Sequence, residues 1–144
     1  MSEKIWKNRW ICNPKYRDLE PLQLLHRQLD PEFRLPEHRE ELKNNHTLFR
    51  KKIQIEHLTD RVILDISADD YYKLYINGKY VTQGPASSYF FCYNYNRIDI
   101  TDHIIEGENI IAVHVYYQGL VNRAYNSGDY RQGMIAEIHL SLIH

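Results

Sequence analysis

Apolar and polar residues alternate with a period of two along most of the chain from Thr47 onward. Such alternation predicts β-strands that bury one face and expose the other. In the clearest runs, apolar residues recur at alternate positions of Val62–Ile66, Ile111–Val115 and Met134–Leu140. In Phe49–Ile55 they are Phe49, Ile53 and Ile55. Turns rich in Gly, Asn and Asp separate these runs. The pattern predicts an all-β domain, built as an antiparallel sandwich or barrel.

A tight β-hairpin is predicted around the dipeptide Asn77-Gly78. Two alternating segments, Tyr71–Ile76 and Lys79–Thr82, flank the dipeptide directly. Both central residues of a type I′ turn take positive φ angles, which Asn tolerates and Gly adopts freely. The outward side chains of the hairpin are tyrosines and lysine. These groups favour a binding function over catalysis.

The first 46 residues follow a different pattern and contain four of the five prolines. A short strand is predicted at Trp10–Cys12. Short helices are predicted between prolines, at Leu22–Leu29 and Glu37–Asn44. We interpret residues 1–46 as an irregular arm that wraps the core, and residues 47–144 as the β-sandwich domain. The last apolar run continues to the final residue without a turn signal, which suggests a piece of a longer protein.

Charge and cysteine content narrow the functional class. A net charge of −1 over 144 residues argues against a nucleic-acid partner, which would need a clustered basic surface. No apolar run approaches the roughly 20 residues that cross a bilayer. The N-terminus lacks the hydrophobic region of a signal peptide. We therefore predict a cytoplasmic protein with no membrane partner, in which Cys12 and Cys92 are reduced and buried.

Two acidic neighbours, Asp69 and Asp70, precede the hairpin. Adjacent carboxylates can act as acid and base or ligate calcium. Consecutive side chains of a strand point to opposite faces, however, so the two do not readily share one site. We interpret both residues as turn-forming, because aspartate bonds nearby backbone amides.

The eight histidines show no metal-ligand spacing. Zinc needs three or four converging ligands, whereas His103 lies in a loop and His114 and His139 lie on separate strands. The last two would share one outward face only if their strands pair. The chain has no Gly-x-Ser-x-Gly elbow, and the turn Gly84–Ser88 lacks the lysine of a phosphate loop. We predict no metal, no cofactor and no catalytic residue.

Tyrosine is concentrated in the second half of the chain, where eleven of the twelve lie between Tyr71 and Tyr130. The loop Tyr116–Gly133 combines tyrosines with Gln, Asn, Asp and Arg. Sugar rings stack on aromatic planes and their hydroxyls bond fixed polar groups, so this loop is a candidate carbohydrate contact. Packing against another domain, or the ordinary preference of tyrosine for strands, explains the same composition. Both interpretations stay open.

Four segments in this order resemble the N-terminal β-sandwich domain of bacterial α-L-rhamnosidases: Ile66–Val81, Gly84–Ala86, Gly107–Gly119 and Ser127–Glu137. The similar region runs from Phe49 to Leu140, which is about two-thirds of the chain. The resemblance implies a sandwich of jelly-roll or galactose-binding-like type, whereas the arm, residues 15–45, carries no motif of this family. Galactose-binding-like sandwiches of other glycosidases share the hairpin and the Gly-Pro turn.

The resemblance also implies a function. Full-length α-L-rhamnosidases are inverting glycosidases, whose two carboxyl groups stand about 6.5–9.5 Å apart on a helical barrel C-terminal to this domain. We expect a non-catalytic accessory domain that packs on the catalytic barrel of its parent chain and contacts rhamnose-containing glycans. A free-standing, lectin-like carbohydrate-binding module is the alternative. The expected sugar contacts are Tyr116 and Tyr117, which would stack, and Gln118, Asp129 and Arg131, which would bond hydroxyls.

Overall fold

The computed structural model describes residues 3–20, 31–32, 39–58, 61–89, 91–119 and 131–141. Over these ranges the chain folds into strands β1 (Asn45–Ile55), β2 (Arg61–Asp69), β3 (Tyr71–Ile76), β4 (Lys79–Gly84), β5 (Asn96–Asp99), β6 (Gly107–Tyr117) and β7 (Gly133–Ser141). Short 3-10 turns occur at Pro14–Tyr16, Glu40–Leu42 and Thr101–His103. Among the described residues, no helix has the length and apolar character needed to cross a membrane.

The strands form two antiparallel sheets, one of four strands in the order β1-β6-β3-β4 and one of three in the order β5-β2-β7. Their inner faces meet in one apolar core, and the predicted β-sandwich is confirmed. The alternate apolar positions of the sequence fill this core: Val62, Leu64, Ile66, Tyr72, Leu74, Ile76, Val113, Val115 and Met134. Burying each such side chain contributes about 1.5–3 kcal/mol, so these positions fix which face of every strand turns inward.

The predicted hairpin is confirmed, with Ile76 paired to Lys79 across a two-residue turn. Asn77 and Gly78 take φ angles of 51° and 80°, as a type I′ turn requires. The Asn77 side chain also accepts a hydrogen bond from the backbone N–H of Ile110 at 2.9 Å. The turn residue therefore both bends the chain and ties the hairpin to β6.

The N-terminal segment lies against the outer face of the three-stranded sheet. Ile11 and Met134 exchange two backbone hydrogen bonds of 2.9 Å, so the strand predicted at Trp10–Cys12 amounts to a bridge at Ile11. Nearer the N-terminus, the Lys4 ammonium forms ion pairs with Asp65 on β2 and Glu137 on β7. The segment covers this face through paired charges as well as backbone bonds.

The later part of the arm packs through a second apolar cluster, in which Tyr16 and Leu42 contact Tyr117 of β6. The Tyr16 hydroxyl donates to the Leu42 carbonyl at 2.8 Å, and burial raises the pKa of that hydroxyl above its usual range. The helix predicted at 22–29 lies outside the described residues. Of the helix predicted at 37–44, the described part contains the 3-10 turn Glu40–Leu42.

Cys12 is half-buried and Cys92 is exposed. The prediction that both thiols are buried is therefore wrong for Cys92. This residue lies in the irregular segment between β4 and β5, where no strand alternation carries side chains inward.

Candidate functional site

The outer face of the four-stranded sheet carries aromatic, imidazole and amine side chains side by side. Strand register places His46 opposite Tyr116, and Tyr116 opposite Tyr71. One row further along, His114 lies opposite Lys73. The same alternation that buries the valines of β6 turns these groups outward. We refer to His46, Tyr71, Lys73, His114 and Tyr116 as the outer-face cluster.

The two histidines of this cluster contact each other directly. His46 Nδ1 lies 2.9 Å from His114 Nε2, so one ring donates a hydrogen bond and the other accepts it. Burial lowers the pKa of His114, and the positive charge of His46 and of Lys73 lowers it further. The neutral form of His114 is therefore favoured, and a nearby negative charge would favour its protonation.

A cleft of about 710 Å³ runs from the outer-face cluster around the end of β4. This volume is within the range of small-molecule sites, about 300–1,000 Å³. Besides the cluster, the cleft is lined by the amides Asn44, Gln83 and Asn96, by Tyr72, and by the turn Gly84-Pro85-Ala86. It offers aromatic faces beside side chains that can donate and accept hydrogen bonds.

Gly84 lies in the lining of the cleft beside a hydrogen-bonded pair, Tyr72 and Asn96. The Tyr72 hydroxyl donates to Asn96 Oδ1 at 2.7 Å, directly behind this residue. A Cβ at Gly84 would collide with the end of the Asn96 side chain, so any other residue here would displace Asn96 from its bond with Tyr72. Burial raises the pKa of Tyr72 to about 12, which keeps its hydroxyl protonated and donating.

The two tyrosines predicted to stack on sugar lie on opposite sides of β6. Tyr116 is half-buried in the cleft, with its ring 4.9 Å from that of His46. Tyr117 is 0% exposed and packs edge-on against Tyr16. Because successive residues of a strand face opposite ways, its ring belongs to the core and presents no face to a ligand.

The polar residues predicted to bond sugar hydroxyls do not join Tyr116 in its cleft. Gln118 follows β6 and is half-buried. Arg131 is exposed and lines a second groove of about 240 Å³ beside Trp10. Asp129 lies outside the described residues. The structure thus places Tyr116 and Arg131 in separate grooves.

Asp69 and Asp70 are both buried, and their carboxylates bind different partners. The Tyr93 hydroxyl donates to Asp69 Oδ2 at 2.7 Å, whereas the backbone N–H of Gln118 donates to Asp70 Oδ2 at 2.7 Å. Both residues lie at the β2–β3 connection, as a turn role requires. Their partners, however, lie 24 and 48 residues away in sequence, so these carboxylates also link distant segments.

His114 and His139, which would share one outward face only if their strands paired, lie in different sheets. His114 belongs to β6 and contacts His46, whereas His139 belongs to β7 and contacts Asp65 at 3.0 Å. His103 lies in a 3-10 turn. Within the described ranges, no group of three or more His, Cys, Asp or Glu side chains is placed to hold a metal ion.

The outer face of the three-stranded sheet holds a network of charges. Arg97 donates two hydrogen bonds, of 2.8 and 2.9 Å, to the fully buried Asp65, and these hold the pKa of that carboxyl well below its usual range. The ammonium of Lys4 lies 2.7 Å from Asp65 and 3.0 Å from Glu137. Glu137 also accepts from the backbone N–H of Asn8 at 2.8 Å. These carboxylates are engaged in holding the N-terminal segment.

Comparisons with known proteins found no matching family model and no matching curated protein. Among solved structures, a GH78 family rhamnosidase of Bacillus sp. GL1 is similar over 96% of this chain, with 27% identity and a TM-score of 0.70. The native α-L-rhamnosidase from Aspergillus terreus is similar over 72%, with 25% identity and a TM-score of 0.55. The Streptomyces avermitilis α-L-rhamnosidase complexed with L-rhamnose shares the fold over 67%, with 21% identity and a TM-score of 0.51.

This chain spans 12%, 13% and 9% of those three chains, in the same order. The structural neighbours therefore include α-L-rhamnosidases, whose own chains are several times longer than the sequence described here.

Proposed function

We propose that this chain is a non-catalytic N-terminal accessory domain of a cytoplasmic α-L-rhamnosidase. In this role it packs on the catalytic domain of its parent chain and contacts carbohydrate through the outer-face cluster. The observation that carries the proposal is the similarity of 96% of this chain to a segment covering 12% of the Bacillus sp. GL1 rhamnosidase. A match that covers nearly all of a short chain and a small part of a long enzyme is expected of an accessory domain.

The state of the buried carboxylates supports a non-catalytic role. Inverting hydrolysis needs an acid and a base that both reach the substrate, about 6.5–9.5 Å apart. Asp65 and Glu137 are buried against Lys4, and Asp69 and Asp70 are buried against a tyrosine hydroxyl and a backbone amide. Each of these groups has a structural partner in place of a substrate.

The cleft at the outer-face cluster supports a carbohydrate contact. Tyr71 and Tyr116 are half-buried, so each ring is held in place while part of it stays accessible. Side-chain amides and imidazoles beside them suit sugar hydroxyls. Tyr116 is therefore the stacking residue of the proposal, and Gln118, Asp129 and Arg131 are assigned to the loop that packs against or lines the parent active site.

The test begins with the reading frame beyond codon 144. We expect it to continue for several hundred residues, and we expect the longer protein to hydrolyse p-nitrophenyl α-L-rhamnoside. The 144-residue chain alone should show no turnover, and removing it from the longer protein should reduce activity or stability. A stop codon directly after codon 144 would overturn the accessory-domain proposal.

The open cleft favours the second candidate, a free-standing carbohydrate-binding module. Titration of the 144-residue chain with methyl α-L-rhamnoside tests it. If the cleft is the site, Tyr116→Ala abolishes binding and Arg131→Ala, in the separate groove, leaves it intact. Loss of binding in Arg131→Ala alone would move the site to the second groove.

A further inference from the structure

We propose that the cleft at the outer-face cluster takes an acidic saccharide, one whose sugar unit carries a carboxylate. The inference rests on the carbohydrate contact proposed above and specifies its chemical class. Three groups that can carry positive charge, Lys73, His46 and His114, converge on this cleft. Among the described residues that line it, none is aspartate or glutamate.

This concentration of basic groups departs from the chain as a whole, which has 18 Lys and Arg against 19 Asp and Glu. Elsewhere in the described structure, six lysine and arginine side chains lie within ion-pair distance of a carboxylate: Lys4, Arg39, Lys43, Lys52, Arg61 and Arg97. Lys73 is exposed at the cleft and forms no ion pair with a described residue. A cation without an acidic neighbour in a cleft is the arrangement that recognises a carboxylate.

His114 can gain a proton, and with it a positive charge, when an anionic ligand binds. The titratable or charged groups placed to face His114 come from its own strand and from the two neighbouring strands. They are His46 and, diagonally, Arg50 on β1; Tyr71, Lys73 and, diagonally, Tyr75 on β3; and Tyr116 on β6. None of these is a carboxylate. A bound anion would therefore be the group that makes protonation of His114 favourable.

The coupling between ligand binding and proton uptake by His114 determines whether the affinity rises or falls with pH. In the free protein the pKa of His114 is below its usual value, because of burial and then of its basic neighbours. A bound carboxylate raises this pKa, so binding takes up a proton. Affinity for an acidic sugar should therefore increase as pH falls from 7.5 to 5.5, where the sugar carboxylate is still ionised.

A saccharide fits this cleft better than a simple anion does. Tyr71 and Tyr116 offer ring faces beside the basic groups, and the amides of Asn44 and Gln83 can bond hydroxyls. The volume of about 710 Å³ is also far larger than one carboxylate needs.

The experiment is a calorimetric titration of the 144-residue chain at pH 5.5 and pH 7.5. The probes are sodium D-galacturonate, methyl α-L-rhamnoside and inorganic phosphate. We expect galacturonate to bind at least about fivefold more tightly than the rhamnoside, and more tightly at pH 5.5 than at 7.5. Lys73→Met should weaken galacturonate binding roughly fivefold to tenfold, since the charged contact of this exposed lysine is screened by solvent, and should weaken rhamnoside binding clearly less.

Matched variants separate the site from general charge effects. Lys79→Met removes the same charge from an exposed position beside the hairpin turn and should change nothing. His114→Gln should abolish the pH dependence while keeping most of the affinity at pH 7.5. Thermal unfolding of each variant confirms that it is folded.

The outcomes distinguish this inference from the proposed function. If the rhamnoside binds as tightly as galacturonate and Lys73→Met has no effect, the acidic class is overturned and the carbohydrate contact stands. If phosphate matches galacturonate, the cleft is a simple anion site and the saccharide is overturned. If no sugar binds, this inference and the carbohydrate contact both fail, and the packing role of the accessory domain is what remains.

Discussion

Replacing Lys4 with methionine tests whether the N-terminal segment is held by its buried charges. The substitution keeps a flexible apolar stem and removes the ammonium that lies 2.7 Å from Asp65 and 3.0 Å from Glu137. The Lys4 side chain is 9% exposed, so solvent does little to replace the lost interaction. Removing one partner of a buried ion pair typically costs about 3–5 kcal/mol, because the remaining charge is left uncompensated.

The remaining partners reduce this cost. Asp65 keeps two hydrogen bonds from Arg97, and Glu137 keeps the backbone N–H groups of Lys7 and Asn8. We therefore expect Lys4→Met to lower the free energy of unfolding by about 2–3 kcal/mol, below the usual range for an orphaned charge. For a chain of this length, that corresponds to a decrease in Tm of roughly 6–9 °C.

The pH dependence gives a second readout. Arg97 and Lys4 hold the pKa of Asp65 below its ordinary 3.8, and bonds from Asn8 and Lys4 hold that of Glu137 below 4.5 despite burial. A depressed carboxyl pKa stabilises the fold above the ordinary value, and this contribution is lost as pH falls through the folded value. The difference between wild type and Lys4→Met should therefore be full at pH 7 and shrink below about pH 4.

Urea denaturation followed by far-UV circular dichroism measures both effects. The matched control is Lys52→Met, which breaks a Lys52–Glu108 pair whose side chains are 59% and 55% exposed. An exposed pair of this kind is worth about 0–1 kcal/mol. The reasoning is refuted if Lys4→Met destabilises no more than the control, or if its effect stays constant as the pH falls from 4 to 2.

Three further perturbations test local features of the fold. Asn77→Ala should lower the free energy of unfolding by about 1–2 kcal/mol in urea denaturation, because it loses the positive-φ turn preference and the side-chain bonds to β6 and to the Thr101–His103 turn. Asn77→Gly should restore the turn preference but not these bonds, so its loss of stability should be smaller. Asp70→Ala should cost about 1–3 kcal/mol, since it leaves the Gln118 N–H without this acceptor, and a neutral result would contradict the bond. A thiol reagent should modify the exposed Cys92 faster than the half-buried Cys12, and equal rates would contradict their placement.

The strands could be predicted where one face is continuously apolar. Val62–Ile66 and Met134–Leu140 alternate over enough residues for the buried face to dominate every competing preference. β5, by contrast, is four residues long, Asn96–Asp99, and carries too little periodicity to stand out from its polar surroundings. β5 forms because it pairs with β2, and this pairing depends on the tertiary structure.

The candidate site was less predictable, for a related reason. The alternation of Ile111, Val113 and Val115 already points Tyr117 inward, so the sequence contained the signal against its role in stacking. His46 had no such signal, since its contact with His114 spans 68 residues and depends on β1 pairing with β6. A site assembled across strands requires the strand order, which alternation within each strand does not specify.

The N-terminal segment decides which outer face of the sandwich can meet a ligand. Backbone bonds at Ile11 and the ion pairs of Lys4 hold it over the three-stranded sheet, where Asp65 has no exposed surface. The four-stranded sheet keeps its cleft, and in its outer-face cluster the rings and basic groups are half-buried or exposed. Both faces carry charge, but on the first Asp65 and Glu137 have basic partners within the chain, whereas on the second Lys73 forms no ion pair with a described residue. A ligand that supplies a negative charge therefore gains more at the open face, because the covered face must first lose its own ion pairs.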